Sequence, residues 1–557
     1  MHPAKFLLVL IVTLAGLAGS TLHGQSPGSL DLSFNGTGQA AASIGPSDDY
    51  GNVVLLQGDG RIVLVGQTDN GINFDFAVAR FNANGTPDTT FNGTGKASTD
   101  FAGDSDIAIA GALQTNGKIV LAGGTNNGSN FDFGVARFNA NGTPDTTFNS
   151  TGKVATPMGT GISFATAVAV QSDGKIVVAG YAQDGPAFSF AIARYHGDVV
   201  TGAPGTLDLT FNGTGKVLLA VGVADSNINA MVLQGDGKIV VAGYSVNTVD
   251  FDSVVARFNT NGTLDTTFNG TGKVSTSFTS GDDVFTAVAL QSDGKIVAGG
   301  YAFNPTNSNS EFTVARYSSA GVLDATFNGT GKVITAIGPS DDSVTGIAVQ
   351  PDGKVVAAGR WTDVFTPTCA VVRYHSNGSL DTTFNGTGIK TLDLGPGDDV
   401  VGGVVLQGDG KIVLGGAAGV PADFTVVRLI GASALDTWRQ TWFGTTVNSG
   451  PAANDADPYR TGVSNLLVFG LFGPAQNPAA VTTGMRPKPQ IVGGNYVVQF
   501  TQPAGVSGIT YGAQWRPNLA SGIWLPVSDS GTGNIHIFSI PIGTNLQAFM
   551  RLTATSP

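Results

Sequence analysis

The sequence predicts an all-β fold of seven repeated units with four strands each, and three observations carry that prediction. The dipeptide Phe-Asn recurs at Phe34, Phe91, Phe148, Phe211, Phe268, Phe327 and Phe384, at intervals of 57, 57, 63, 57, 59 and 57 residues. A turn glycine recurs at Gly60, Gly117, Gly174, Gly237, Gly294, Gly353 and Gly410 with those same intervals. Charged residues make up only 12% of the 557-residue chain while Gly numbers 80, which suits short strands joined by turns rather than long solvated helices. A period of this length marks units that bury their apolar faces only against one another. Four-stranded units that each cover the next close into a ring without exposed ends, so the expected architecture is a seven-bladed β-propeller. An open solenoid, the alternative, needs atypical capping repeats, and the first and last copies here are ordinary.

Within the first unit the apolar runs Val53 to Leu56 and Arg61 to Val65 flank Gly58-Asp59-Gly60, a hairpin signal because these turn residues tolerate positive φ. The third run is Phe76 to Phe81. The fourth, Gly38 to Ser43 here and Gly95 to Thr99 in the next unit, follows the Phe-Asn-Gly-Thr-Gly corner. The first and second runs do not alternate cleanly between apolar and polar residues, so both faces of those strands must be covered. The array opens on a fourth-type strand and ends on a third-type run, Asp423 to Ile430. The N-terminal strand is therefore expected to complete the last blade.

The recurring strings LDxxFNGTGK, LQxDGKIVxAG and VAR[FY], spread over residues 30 to 430, resemble the bacterial delta-60 repeat family of exported β-propeller-type proteins. The resemblance implies the propeller rather than an activity, and it brings no catalytic motif.

Residues 1–24 have the layout of a secretory signal: His2 and Lys5 lead into the apolar run Phe6 to Leu17, followed by small residues. That run is shorter than the ~20 residues of a membrane span, and no later segment approaches that length. Export to the periplasm, the cell surface or the medium is expected. The propeller is expected over 25–430, a linker with short helices over 431–487, and a small β-sandwich over 488–557. Leu435, Trp438 and Trp442 have helical spacing, and Tyr511, Ala513 and Trp515 alternate with polar or small residues as in a half-buried strand. Asp455 and Asp457 open a segment that looks like an acidic calcium loop, but Tyr459 and Arg460 interrupt its run of acids. No metal or other cofactor is expected. The single cysteine, Cys369, cannot pair internally and falls in register with Phe76, Phe133, Phe190, Phe312 and Phe424, the place of a buried apolar residue.

Arg80, Arg137, Arg194, Arg257, Arg316, Arg373 and Arg428 end the third run of each unit, and an Asp precedes each Phe-Asn corner. Seven identical placements point to scaffold, an ion pair tying each corner to its blade, rather than to a ligand site. The formal net charge of −12, with no basic patch, argues against nucleic acid as a partner. No His cluster, zincin motif or phosphate loop is present. The repeats disagree most in the connectors between second and third strands and between fourth and first strands, which share one face of a propeller. Tyr181, Tyr244, Tyr301 and Trp361 open four of the former, and the latter carry Asp48-Asp49, Asp282-Asp283, Asp341-Asp342 and Asp398-Asp399. Aromatic platforms with carboxylates on a rigid scaffold suit a glycan, a peptide or a surface protein. The expected function is a monomeric, exported, non-catalytic binding scaffold; the alternative is a secreted hydrolase or lyase using carboxylates at the channel mouth.

Overall fold

The structure is a computed structural model that describes residues 26–432 apart from 102, 199–201 and 364–365, with interrupted stretches of 433–555. Residues 1–24, Asp455, Asp457 and most of the expected linker helix lie outside the described residues. The chain divides into two compact units, 26–447 in one and 448–557 in the other.

The first unit is built from four-stranded antiparallel sheets that repeat along the chain. In the first sheet Asp49–Leu56, Ile62–Asp69, Phe74–Phe81 and Lys96–Thr99 lie side by side in sequence order. Five more sheets repeat this meander, starting at Asp106, Ser163, Ser226, Asp283 and Asp342. The seventh combines Val400–Leu406, Ile412–Ala418 and Asp423–Leu429 with Gln39–Ala42 from the start of the array, Gln39 pairing with Val427 and Ala42 with Phe424.

Local chemistry explains each joint. After the first strand, the Gly60 N–H donates to the Gln57 carbonyl at 2.9 Å and Gly60 takes φ 86°, a conformation that costs glycine nothing. At each Phe-Asn corner the Asn stands in the left-handed region, with φ between 49° (Asn269) and 53° (Asn385), which Asn tolerates better than other side chains. That geometry turns its N–H outward to a carbonyl of the following repeat: Asn35 to Asn84 at 2.7 Å, Asn92 to Asn141 at 2.6 Å, and so on to Asn385, which reaches Pro27 at 2.9 Å.

The second and third strands are buried along nearly their whole length, as in Phe74–Phe81, where only Phe74 is partly exposed. Both faces are covered because successive sheets share a core: Val177, Phe190 and Ile192 of the third sheet meet Ile228, Val241 and Val254 of the fourth. The seventh sheet and the first share one in the same way, with Ala40, Val413 and Phe424 against Val54, Leu64 and Ala77.

The recurrent arginine is the polar centre of each joint. Arg80 Nε donates to Asp88 Oδ2 at 2.7 Å, its guanidinium lies 4.6 Å from the centre of the Phe91 ring, and Nη1 donates to the Ala140 carbonyl in the next repeat at 2.6 Å. Arg194, Arg257, Arg316 and Arg373 repeat the arrangement, reaching Thr260, Ser319, Ser376 and Gly431, and Arg428 reaches Ala83. Arg137 departs from it: where the third repeat carries its insertion, Arg137 Nη2 meets the Asp198 carboxylate at 2.8 Å instead. A basic residue from the Asp-Gly turn joins each carboxylate, as Lys354 joins Asp381 at 3.2 Å.

Among the described residues of the second unit are two three-stranded sheets, Gln490–Val492, Asn495–Thr501 and Ile535–Pro541 in one and Leu525–Val527, Thr510–Arg516 and Phe549–Thr555 in the other. Tyr511, Ala513 and Phe538 are their buried centre, with Phe500, Val527, Met550 and Leu552 packed around them.

Arg373 and Asp381 are both almost fully buried, so removing the guanidinium strands a carboxylate without its main partner. Arg373→Met, which keeps most of the stem, is expected to cost about 3–5 kcal/mol of unfolding free energy in denaturant titration. A loss below about 1 kcal/mol would show that the joint holds without its ion pair.

Candidate functional site

The first strands of all seven sheets line a common cavity of about 250 Å³. Each of these strands has a bulge at the same place, at Asn52, Ile109, Thr166, Asn229, Thr286, Thr345 and Gly402. A bulge adds one residue and re-aims its side chain. Here it points sideways into the next sheet: Asn52 Nδ2 donates to the Ala108 carbonyl at 2.8 Å, Thr166 Oγ1 to Ile228 at 2.6 Å, Asn229 Nδ2 to Phe285 at 2.8 Å and Thr345 Oγ1 to Val401 at 2.6 Å. The bulge side chains therefore stitch the cavity wall. Gly402 fits because an added Cβ would lie 2.3 Å from the Asn52 carbonyl oxygen.

Two residues before each bulge, a row of side chains crosses the sheet near the connector face. In the third sheet it reads Phe164, Tyr181, Phe190; in the fourth Asn227, Tyr244, Ser253; in the fifth Val284, Tyr301, Phe312; in the sixth Ser343, Arg360, Cys369. Tyr181, Tyr244 and Tyr301 thus hold equivalent places on three consecutive sheets, all half-buried. Phe164 stacks on Tyr181 at 6.1 Å between ring centres, and Phe188 and Phe251 pack against Tyr181 and Tyr244. Burial raises the pKa of all three phenols, and neighbouring carboxylates add to it: Asp225 and Asp282 at Tyr244, Asp282 and Asp341 at Tyr301. The next place in the arc belongs to the exposed Arg360. Trp361 lies one residue further on, paired with Asp342, and it packs against the cluster shared by the fifth and sixth sheets. In the first, second and seventh sheets the place holds Gln67, Gly124 and Ala417.

The two members of each acid pair do different jobs. Asp283, Asp342 and Asp399 are fully buried and accept backbone N–H bonds from their own connectors, from Phe278 at 2.6 Å, Ile337 at 2.8 Å and Leu394 at 2.8 Å. Asp282 and Asp341 are exposed yet tied to the start of the preceding third strand, accepting from Phe251 at 3.0 Å and Ser310 at 2.8 Å; Asp48 does the same for Ala422 at 2.9 Å. Asp398 is exposed. Cys369 is fully buried and free, and burial raises its thiol pKa.

On the opposite face a cleft of about 710 Å³ opens between the sixth and seventh sheets, lined by Pro351, Asp352, Lys354, Arg373, Leu406 and Asp409 among others. Smaller clefts with the same repeat positions lie between the fifth and sixth sheets and between the third and fourth. Their recurrence ties them to the repeat geometry.

With the sheets and their joints in place, comparison with known families is direct. The family described as "Domain of unknown function (DUF5122) beta-propeller" matches residues 57–91, 114–148, 171–211, 234–268, 291–327 and 350–384. These are β-propeller repeats. No curated protein matches the chain. Among solved structures, the polysaccharide lyase Uly1 is 13% identical with a TM-score of 0.39, covering 70% of this chain and 92% of its own. Sqt1 from Chaetomium thermophilum is 12% identical with a TM-score of 0.36, covering 70% and 98%. Drosophila Semaphorin 2a is 9% identical with a TM-score of 0.41, covering 92% and 96%. At these scores the likenesses bear on neither activity nor partner.

Asp381 and Asp342 titrate in two separate windows. At the joints, hydrogen bonds from Thr383 and Lys354 and the Arg373 charge outweigh burial and hold Asp381 at about 2, so its stabilisation is lost as pH falls below the free-carboxylate value of ~3.9. In the connectors, burial, reinforced by Glu311 and Asp341, pushes Asp342 up to about 6, so its favourable neutral form is lost as pH rises from ~4 through that value. Asp342→Asn is therefore expected to flatten the fall in stability of the propeller repeats between those two pH values and to leave the acid limb unchanged. Melting curves at a series of pH values that superimpose for variant and wild type across the upper window would contradict this assignment.

Proposed function

We propose that this chain is an exported, seven-bladed β-propeller of the delta-60 kind, closed by its N-terminal strand, that serves as a non-catalytic scaffold binding a glycan, a peptide or a surface protein. Closure is supported by the pairing of Gln39–Ala42 with Asp423–Leu429 and by the core that the seventh sheet shares with the first. The single observation that carries the binding reading is the arc of Tyr181, Tyr244 and Tyr301 at one register on consecutive sheets, followed by Arg360. At this place of the row the third, fourth and fifth sheets carry tyrosine, whereas the first, second, sixth and seventh carry Gln67, Gly124, Arg360 and Ala417. Half-buried tyrosines on a rigid sheet offer flat apolar area with a polar tip at low entropic cost.

The second reading is a hydrolase or lyase working through carboxylates on the same face. Catalysis by a carboxylate pair needs two groups free to exchange protons with substrate. Asp283, Asp342 and Asp399 are enclosed and hold their own connectors, which favours binding over chemistry.

Two measurements test the two parts of the proposal. Deleting residues 26–42 is expected to lower the melting temperature of the propeller far more than deleting 448–557, and an equal or smaller effect removes the support for closure. For binding, the intact protein and a Tyr181→Ala/Tyr244→Ala/Tyr301→Ala variant are to be compared on arrays of glycans and exported proteins. The expected result is a ligand whose affinity falls by tenfold or more, about 1.4 kcal/mol, in a variant that melts normally. Binding that survives the triple change excludes this sector, and turnover of any arrayed polymer establishes the enzyme instead.

A further inference from the structure

Between the first and second sheets three carboxylates converge that no joint or connector role requires together. One oxygen from each of Asp75, Asp100 and Asp106 lies within 4.8 Å of the others. Asp75 is the second residue of the third strand of the first sheet, Asp100 directly follows its fourth strand, and Asp106 opens the second sheet. Asp75 is 8% exposed and Asp106 0%, and the Oδ1 atom of each is buried without a hydrogen-bond partner. Their Oδ2 atoms are engaged, with Asn70 at 3.0 Å and the Phe101 N–H at 2.7 Å, while Asp100 Oδ1 accepts from Gly103 at 2.7 Å. No Lys, Arg or His forms an ion pair with any of the three among the described residues; Lys153 nearby spends its ammonium on the Asp100 backbone carbonyl.

Two of the equivalent junctions carry a serine at the place of Asp100. Between the seventh and first sheets the set is Asp423, Ser43 and Asp49, and between the fourth and fifth it is Asp252, Ser277 and Asp283. In both, the middle place holds a neutral serine, whose hydroxyl donates to a nearby carbonyl, Ser43 to Gly45 at 3.3 Å and Ser277 to Thr279 at 2.6 Å. Asp100 replaces that neutral residue with a third anion. Two buried acceptors without donors beside an added negative charge are unfavourable in a low-dielectric setting unless a cation or a proton balances them.

We propose that Asp75, Asp100 and Asp106 bind a hard divalent cation of the calcium class and so pin the first sheet to the second. Three carboxylates with no sulfur or imidazole nearby are the donor set of such ions, whose remaining positions are filled by carbonyl oxygens or water. The site is accessory to the binding arc, and it departs from the sequence-based expectation of no metal.

The test uses the full chain, stripped with EDTA, melted with and without added calcium, and titrated calorimetrically with calcium and with magnesium. Wild type is expected to bind one calcium ion and to melt several degrees higher at saturating calcium, because an ion that binds only the folded state stabilises it by mass action. Asp100→Ser, which installs the residue of the sister junctions, is expected to lose at least tenfold in calcium affinity while melting in EDTA no lower than wild type. Equal calcium binding by Asp100→Ser would place the ion elsewhere and overturn the assignment. A wild-type melt indifferent to calcium, with Asp100→Ser more stable than wild type at neutral pH, would show that a proton rather than a metal balances the cluster.

Discussion

The guanidinium at the end of each third strand meets three groups at once: the corner carboxylate of its own repeat, the face of the following phenylalanine, and an acceptor of the next repeat, which is a carbonyl for all but Arg137. A planar cation with several donors in fixed directions can satisfy such a set, whereas an ammonium cannot. Because the third contact always lies in the following sheet, the side chain that ends one repeat also orients the next. The corner asparagines do the same through the backbone, and the bulge residues through the cavity wall. Three belts of polar contacts at different distances from the cavity thus run through the same set of sheets. Hydrophobic burial supplies most of the cohesion, but it is non-directional, and these belts fix the angle between neighbours.

Asp198 shows how strict that requirement is. The third repeat departs from the others by an insertion after Tyr195, where the other repeats supply a carbonyl to the arginine of the repeat before. The inserted segment supplies a carboxylate in its place, and Lys118 and Asn116 bond the same group. The joint tolerates a change of acceptor but keeps an acceptor.

The strands and the Arg–Asp pairs were legible in the sequence because they recur, and recurrence separates a shared cause from chance. Cys369 was legible for the same reason, since its register with five phenylalanines is visible by counting. The proposed binding arc lies where recurrence fails. Trp361 and the three tyrosines each open a connector, yet a strand has period two, and a single step separates Arg360, which shares the tyrosine register, from Trp361, which does not. Seven residues separate Gly174 from Tyr181, Gly237 from Tyr244 and Gly294 from Tyr301, and the same count from Gly353 leads to Arg360 rather than Trp361. The acid pairs were misleading in another way: two adjacent aspartates look equivalent in sequence, and only burial separates the latch from the exposed tie. The bulge asparagines and threonines went unnoticed because seven positions hold four residue types, united by geometry and not by identity.

The seventh sheet takes three strands from one end of the array and its fourth from the other, Gln39 opposite Val427. Within the array, the segment around Gln39 is synthesised first and its partner last. Until then the early strand has no native neighbour, and its unpaired edge is open to wrong ones. The six intervening sheets can assemble from local hairpins as they appear, but this one joins the most distant contact in the array, the kind that folds late because its loop-closure entropy is lost before any contact compensates. An organism making this chain therefore has reason to keep it from folding until all repeats are present.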